Sequence, residues 1–179
     1  MRSLGVLLIT AVMAMTLSGC PFVSKVPLGQ VQHHPLDVSV FGDWLWENPQ
    51  DKKQVVHAVV LPFNDTEYFV EWFDGDRAPL RLRAYRVDID GQAYINFNDL
   101  KATGSPEYFF AKYELSGDHQ LTIRFIGEKG VPKGLATDAK GLVDYVRTHL
   151  TDPSLEDDFS LAFRRAKPDE IVRGRLRRD

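Results

Sequence analysis

The chain has 179 residues, a formal net charge of −3 and 26% charged residues. Its length suits one domain with a substantial core. A mildly acidic chain lacks the basic surface typical of nucleic-acid-binding proteins, so we expect no nucleic-acid partner. The aromatic content of 11% is typical of a globular chain rather than a disordered one.

The first twenty residues carry the most informative motif. Arg2 precedes an apolar run from Leu4 to Met15, and Leu17-Ser18-Gly19-Cys20 follows it. The run is shorter than the roughly 20 residues that a spanning helix needs, which favours an export signal. The segment resembles a bacterial lipoprotein signal peptide with its lipobox. The resemblance implies a signal peptide over 1–19, cleavage before Cys20, and acylation of that residue.

Cys20 is the only cysteine, so an intrachain disulfide is impossible. The alternative to lipidation is an ordinary secreted protein with a chance cysteine, but secreted domains normally use cysteines in pairs. Two or more acyl chains make membrane anchoring stable. Pro21 stands where bacterial lipoproteins retained in the inner membrane carry Asp. The resemblance therefore implies the outer membrane, with the protein facing the periplasm.

Residues 20–35 are rich in proline and lack sustained periodicity, which predicts a lipidated tether. His33-His34 lies in this stretch. Paired histidines can bind metal, but a site needs three or four ligands at defined spacing, and none is nearby. We therefore predict no metal site. The tether leads into a domain over 36–166.

The domain begins with three predicted strands. They cover residues 41–47, 55–61 and 66–73, which are rich in β-branched and aromatic residues. Asn64-Asp65 and Asp74-Gly75-Asp76 are turn signals after the second and third strands.

The next strand changes phase along its length. Leu80, Leu82 and Ala84 share one face, whereas Tyr85, Val87 and Ile89 alternate in the opposite phase. Because side-chain direction has a period of two, the change predicts a β-bulge near Ala84-Tyr85. Asp90-Gly91 then predicts a hairpin to a strand that contains Ala93, Ile95 and Phe97.

The second half of the domain contains a hairpin, a helix and a last strand. Residues 108–115 and 121–125 alternate around the turn Ser116-Gly117-Asp118. The loop at 127–134 lacks the spacing and the terminal Lys-Ser/Thr of a nucleotide-binding loop, so no cofactor is predicted. Apolar residues at helical spacing, Leu142, Val143, Val146 and Leu150, predict a helix over about 138–150. A strand follows with Phe159, Leu161 and Phe163 inward, and then a basic tail over 167–179, a frayed terminus or a contact for anionic lipid.

These elements predict a mainly β fold. About eight strands form an antiparallel up-and-down meander, a closed or half-closed barrel with one helix before the last strand. Gly42-Asp43-Trp44 and an Arg on the last strand, Arg164 or Arg165, resemble the lipocalin-like (calycin) superfamily. The resemblance implies that Gly42, Trp44 and Arg164 close the base of the barrel, with the Arg over the Trp.

The chain also resembles uncharacterised bacterial lipoproteins. The shared features are Pro27-Leu28-Gly29, the Gly-x-Trp-x-Trp start at Gly42, and the segment Tyr113 to Asp118. This resemblance implies no particular activity.

Two non-enzymatic functions are open. In the first, the barrel binds a small apolar ligand in a cavity lined by aromatic residues, although such rings can simply fill a core. The candidates are Trp44, Trp46, Phe69, Trp72, Tyr94, Phe97 and Phe110. In the second, an accessory envelope protein docks on a protein partner through an exposed apolar patch, with Trp72-Phe73 and Phe109-Phe110 as candidates.

An enzyme is not the favoured interpretation. His57 and His119 have no Ser or acid at a recognisable spacing. The pairs Asp74 with Asp76 and Asp88 with Asp90 could serve acid–base chemistry, but both lie at predicted turns, where Asp is expected. We therefore predict no catalytic residue.

Overall fold

Eight antiparallel strands form a closed barrel in a computed structural model that describes residues 20–31, 35–75, 77–102, 104–117 and 119–171. Each strand pairs with its neighbours in sequence, and the first and last strands close the barrel. The predicted up-and-down barrel is confirmed. The strands are β1 Gly42–Glu47, β2 Val55–Pro62, β3 Tyr68–Asp74, β4 Leu80–Ile89, β5 Gln92–Asp99, β6 Tyr108–Ser116, β7 Gln120–Ile126 and β8 Glu156–Arg165.

Several predicted features lie outside the described residues. These are the signal peptide over 1–19, His33-His34, Asp76, Asp118, the inward direction of the Phe159 side chain, and the tail beyond residue 171.

One helix, α1 Ala139–Thr148, precedes β8 as predicted, and it ends two residues before the expected position. The Asp138 carboxylate caps it by accepting a hydrogen bond of 2.9 Å from the Gly141 N–H. Short 3₁₀ turns lie at Val38–Val40, Glu128–Gly130, Lys133–Thr137 and Pro153–Leu155, and the described chain ends in a helical turn at 168–171.

The barrel interior holds the first of two cores. Alternate residues of each strand point inward and contact one another across the barrel, as the period-two pattern predicts. The inward set includes Trp44, Val60, Val70, Leu82, Phe97, Ile123 and Phe163.

The predicted β-bulge near Ala84-Tyr85 is wrong. The pairing of β4 with β5 runs without a shift from Leu82 opposite Asp99 to Ile89 opposite Gln92. The hydrophobic phase changes because the outer face of β4 is also buried along its second half. The register irregularity lies instead between β7 and β8, at Arg124 and Ile126.

The second core lies on the outer face of β4, β5 and β6. Outward side chains of these strands pack against Leu142 and Val146 of α1 and against residues near the start of the described chain. The strand residues are Tyr85, Val87, Ile89, Tyr94 and Phe110. The sheet is therefore covered on both faces over this part of the barrel.

Residues 20–31, here called the docked segment, form part of the second core. They belong to the stretch predicted as a tether, yet Phe22 and Leu28 are buried. The Phe22 N–H donates to the Ile126 carbonyl at 2.8 Å, and Ser24 exchanges two backbone hydrogen bonds with Tyr108. The lack of sustained periodicity predicted a tether, whereas residues 20–31 pack against the barrel through contacts that such a pattern does not reveal.

The side-chain amide of Asn96 holds the docked segment through the pair of hydrogen bonds that a neighbouring strand backbone would make. The Leu28 N–H donates to its Oδ1 at 2.7 Å, and its Nδ2 donates to the Leu28 carbonyl at 3.0 Å. Asn96 is fully buried on the outer face of β5. Both polar groups of Leu28 are thus satisfied inside a core, where an unpaired group is costly.

Candidate functional site

One end of the barrel is closed by the chain that enters β1. The 3₁₀ turn Val38–Val40 lies across this end, and Val40 packs in the interior core. The buried Trp44 ring donates from Nε1 to the Val40 carbonyl at 2.9 Å. Burial raises the pKa of Tyr68, whose hydroxyl accepts a hydrogen bond of 2.9 Å from the Asp37 N–H. The closed end is therefore a packed and hydrogen-bonded cap.

Arg165, rather than Arg164, lies over Trp44. Its guanidinium carbon is 4.1 Å from the ring centroid, and its two terminal nitrogens donate to the Phe41 and Ser39 carbonyls. Arg165 shares the inward parity of Phe163 on β8, whereas Arg164 has the opposite parity.

Arg164 instead points outward. It donates to Glu47 at 2.6 Å and to Glu170 at 2.8 and 2.9 Å. The hydrogen bonds that Glu170 accepts from Arg164 and from the Lys167 N–H lower the pKa of Glu170 to about 2.

Gly42 occupies a position that only glycine adopts easily. Its φ of 116° lies in the region that side chains avoid, and an added Cβ would stand 2.8 Å from Nη1 of Arg165. The glycine of the Gly-x-Trp motif therefore makes room for the guanidinium that covers Trp44.

The opposite end carries an apolar mouth of about 250 Å³. In an up-and-down barrel, the starts of β4 and β6 and the ends of β3 and β5 lie together, opposite the start of β1. Among the described residues, the lining consists of proline, aliphatic and aromatic side chains, namely Pro21, Val23, Trp72, Leu80, Leu82, Phe97, Phe109 and Phe125. The mouth meets the surface at Val23 and Leu80, which are 49% and 38% exposed.

The barrel interior beyond the mouth is nearly filled. A cavity of about 60 Å³ remains there, and Trp72 and Phe97 line both this cavity and the mouth. Trp72 packs edge-on against Phe163, with ring centroids 5.5 Å apart, and Phe97 stacks on Phe109 at 5.0 Å. These rings stand between the two spaces.

The aromatic residues proposed for a cavity divide between the two faces of the sheet. Trp44, Trp72 and Phe97 line the interior cavity, and Trp46 belongs to the interior core. Tyr94 and Phe110 face outward into the second core, and Phe69 has the outward parity of β3. Phe109 and Phe125, which are not among the predicted lining residues, are at the mouth.

The four aromatic residues considered for a partner surface lie in different surroundings, and Trp72, Phe73 and Phe109 are partly buried. Phe110 is buried, Trp72 and Phe109 line the mouth, and Phe73 stacks on His57 with ring centroids 5.4 Å apart. None of the four belongs to the large hydrophobic side chains that are exposed.

Cys20 lies beside the mouth. Its carbonyl accepts a hydrogen bond of 2.9 Å from the Glu128 N–H, and its side chain is exposed. The next residue, Pro21, pairs with Gly127 and lines the mouth. Cys20 is thus placed at the rim by the docked segment, rather than at the end of a free tether.

The residues considered for catalysis do not form one site, because His57, Asp88 and Asp90 each contact a different partner. Nε2 of His57 is 2.9 Å from Oδ1 of Asp43 on the outer surface of β1 and β2. Asp88 accepts a hydrogen bond of 2.8 Å from Arg86, and Asp90 forms an ion pair with Arg147 at 3.4 Å. Within the described part of the chain, no three His, Cys, Asp or Glu side chains are grouped to hold a metal ion.

Comparisons with known proteins found no matching family model, no matching curated protein and no matching solved structure. None of the helices in the described ranges has the length and apolar character that crossing a membrane requires.

Proposed function

We propose that this protein is a lipid-anchored envelope protein that binds a small apolar ligand at the open end of a lipocalin-like barrel. The observation that carries the proposal is the mouth of about 250 Å³, whose lining in the described ranges is made of apolar and aromatic side chains. Enclosed apolar cavities of about 150 Å³ bind benzene-sized molecules, and the mouth, which is open to solvent on one side, has the volume and the apolar lining to hold an apolar ligand. The calycin likeness rests on Trp44 under Arg165.

The anchoring part of the proposal rests on the lipobox. Acylation would consume the thiol of Cys20, the single cysteine, and would hold the domain at a membrane, with the outer membrane as the expected location. The exposure of Cys20 supports this role, because a modified residue must be accessible.

Lipidation is tested by the mass of the mature full-length protein made in a bacterial host. We expect the loss of residues 1–19 and the added mass of acyl chains. Cys20→Ser is expected to abolish both changes, because serine lacks the thiol that is acylated.

Ligand binding is tested with a fluorescent fatty acid, cis-parinaric acid, on a soluble form that begins at residue 20 and carries Cys20→Ser. We expect saturable binding that Leu80→Arg weakens at least about tenfold, which corresponds to 1.4 kcal/mol. Leu61→Arg is the matched control, because Leu61 is 45% exposed and belongs to the opposite end of the barrel. An absence of saturable binding, or equal effects of the two variants, would contradict the proposal. It would favour docking on a protein partner.

A further inference from the structure

We propose that the open end of the barrel is a membrane-contacting surface, and that its apolar mouth takes an acyl chain of a bilayer phospholipid. The inference rests on the proposed lipidation of Cys20, and it names the surface and the occupant. It follows from how the docked segment places Cys20 relative to the mouth.

No free length of chain separates Cys20 from the barrel. A free chain of about 15 residues would let its two ends separate by roughly 20 Å and would leave the orientation of the barrel undetermined. Here the Cys20 carbonyl is bonded to the Glu128 N–H, and Phe22 and Ser24 pair with β7 and β6. Acyl chains on Cys20 would therefore draw this end of the barrel to the bilayer.

Buried hydrogen bonds between Leu28 and Asn96 hold the docked segment on the barrel. Leu28 is fully buried and bonded through both of its backbone polar groups to Asn96. The Ser24 hydroxyl donates to the Ala136 carbonyl at 3.0 Å, and Lys25 forms an ion pair with Glu107. The segment is held along its length, so the position of Cys20 is part of the fold.

The surface that would meet the bilayer carries apolar side chains. Three exposed apolar side chains lie at the mouth, with Val23 and Leu80 in its wall and Leu100 beside them, since the Leu100 N–H donates to the Arg81 carbonyl. Leucine and valine side chains gain free energy when they leave water for acyl chains. The described residues of the wall offer no polar side chain to a headgroup, so the acyl chain is the part of a phospholipid that fits.

The test uses the full-length acylated protein, reconstituted in vesicles of phosphatidylethanolamine and phosphatidylglycerol. A small share of the phospholipid carries a photoactivated diazirine near the end of one acyl chain. After irradiation, mass spectrometry maps the modified residues. We expect modification at mouth residues such as Leu80, Phe109 and Phe125. Leu80→Arg is expected to reduce it severalfold, whereas Leu61→Arg leaves it unchanged.

Two results would overturn the inference alone. Modification confined to residues outside the mouth would show that the open end does not take a bilayer chain. A mouth that bilayer lipid does not modify, but that is occupied by the protein's own acyl chain on Cys20, would show an internal occupant. In both cases the mass of the protein and the binding of cis-parinaric acid still support the proposed function. A mature protein without acyl mass would overturn the inference together with the anchoring on which it rests.

Discussion

Replacing Asn96 by Ala tests whether the docked segment is held by a buried hydrogen-bonded clamp. The substitution removes the partners of two buried backbone groups, the Leu28 N–H and carbonyl. Each buried polar group left without a partner costs about 1–3 kcal/mol, so the free energy of unfolding should fall by about 2–6 kcal/mol. The cost can be smaller only if the docked segment detaches and both groups reach water. The amides of Phe22 and Leu28 should then exchange rapidly while the barrel stays folded.

Asn98→Ala is the matched control for this prediction. Asn98 lies two residues along β5 and faces the same side, but it donates a single exposed hydrogen bond of 3.0 Å to the Glu107 carbonyl. Its loss should cost no more than about 1 kcal/mol. The assay is urea unfolding of the soluble form with Cys20→Ser, combined with hydrogen exchange. If Asn96→Ala costs no more than Asn98→Ala and leaves exchange unchanged, the clamp does not hold the segment.

Three further predictions concern buried aromatic and charged side chains. Tyr94→Phe should leave stability unchanged or raise it by about 1 kcal/mol in urea unfolding, because its buried hydroxyl has no hydrogen-bond partner among the described residues. Burial raises the pKa of Tyr94 and Tyr113 to about 12. Above pH 10 the unfolded state loses the hydroxyl protons of these tyrosines, whereas the native state keeps them up to about pH 12. Each tyrosine should therefore lower stability by about 1.4 kcal/mol per pH unit between pH 10 and 12, and a flat profile would contradict this. Arg165→Ala should cost about 2–4 kcal/mol, since it uncovers Trp44 and leaves two carbonyls without their donor. Arg164→Ala, which breaks half-exposed ion pairs, should cost at most about 1 kcal/mol, and equal losses would refute the assignment.

The barrel could be predicted from the sequence because its signals are local. Alternation with a period of two and turn dipeptides such as Asp90-Gly91 define each strand within its own residues. The turn has the expected backbone, with φ of 49° at Asp90 and 84° at Gly91. Trp44 of the Gly-x-Trp motif lies in the barrel core. Of Arg164 and Arg165, the one with the inward parity of β8, Arg165, lies over the Trp44 ring.

The docked segment and the mouth could not be predicted because their contacts are distant in sequence. Leu28 and its partner Asn96 are 68 residues apart, and no pattern around either residue indicates the other. Phe109 and Phe110 are neighbours of the same type, yet one lines the mouth and the other is buried in the outer core. Which face of a strand is covered depends on what packs against it, and here that includes α1 and the docked segment.

The two ends of the barrel have opposite physical character, and this contrast favours binding at one of them. At the closed end, the Arg165 guanidinium covers the Trp44 ring and donates to backbone carbonyls, and Nε1 of Trp44 donates to the Val40 carbonyl. At the open end, aromatic rings line a space that the chain does not fill, although a protein core is normally close-packed. Trp72 and Phe97 stand between this space and the smaller cavity behind it. A ligand that fits the mouth can therefore bind without a rearrangement, whereas a longer one must displace these two rings to reach the interior.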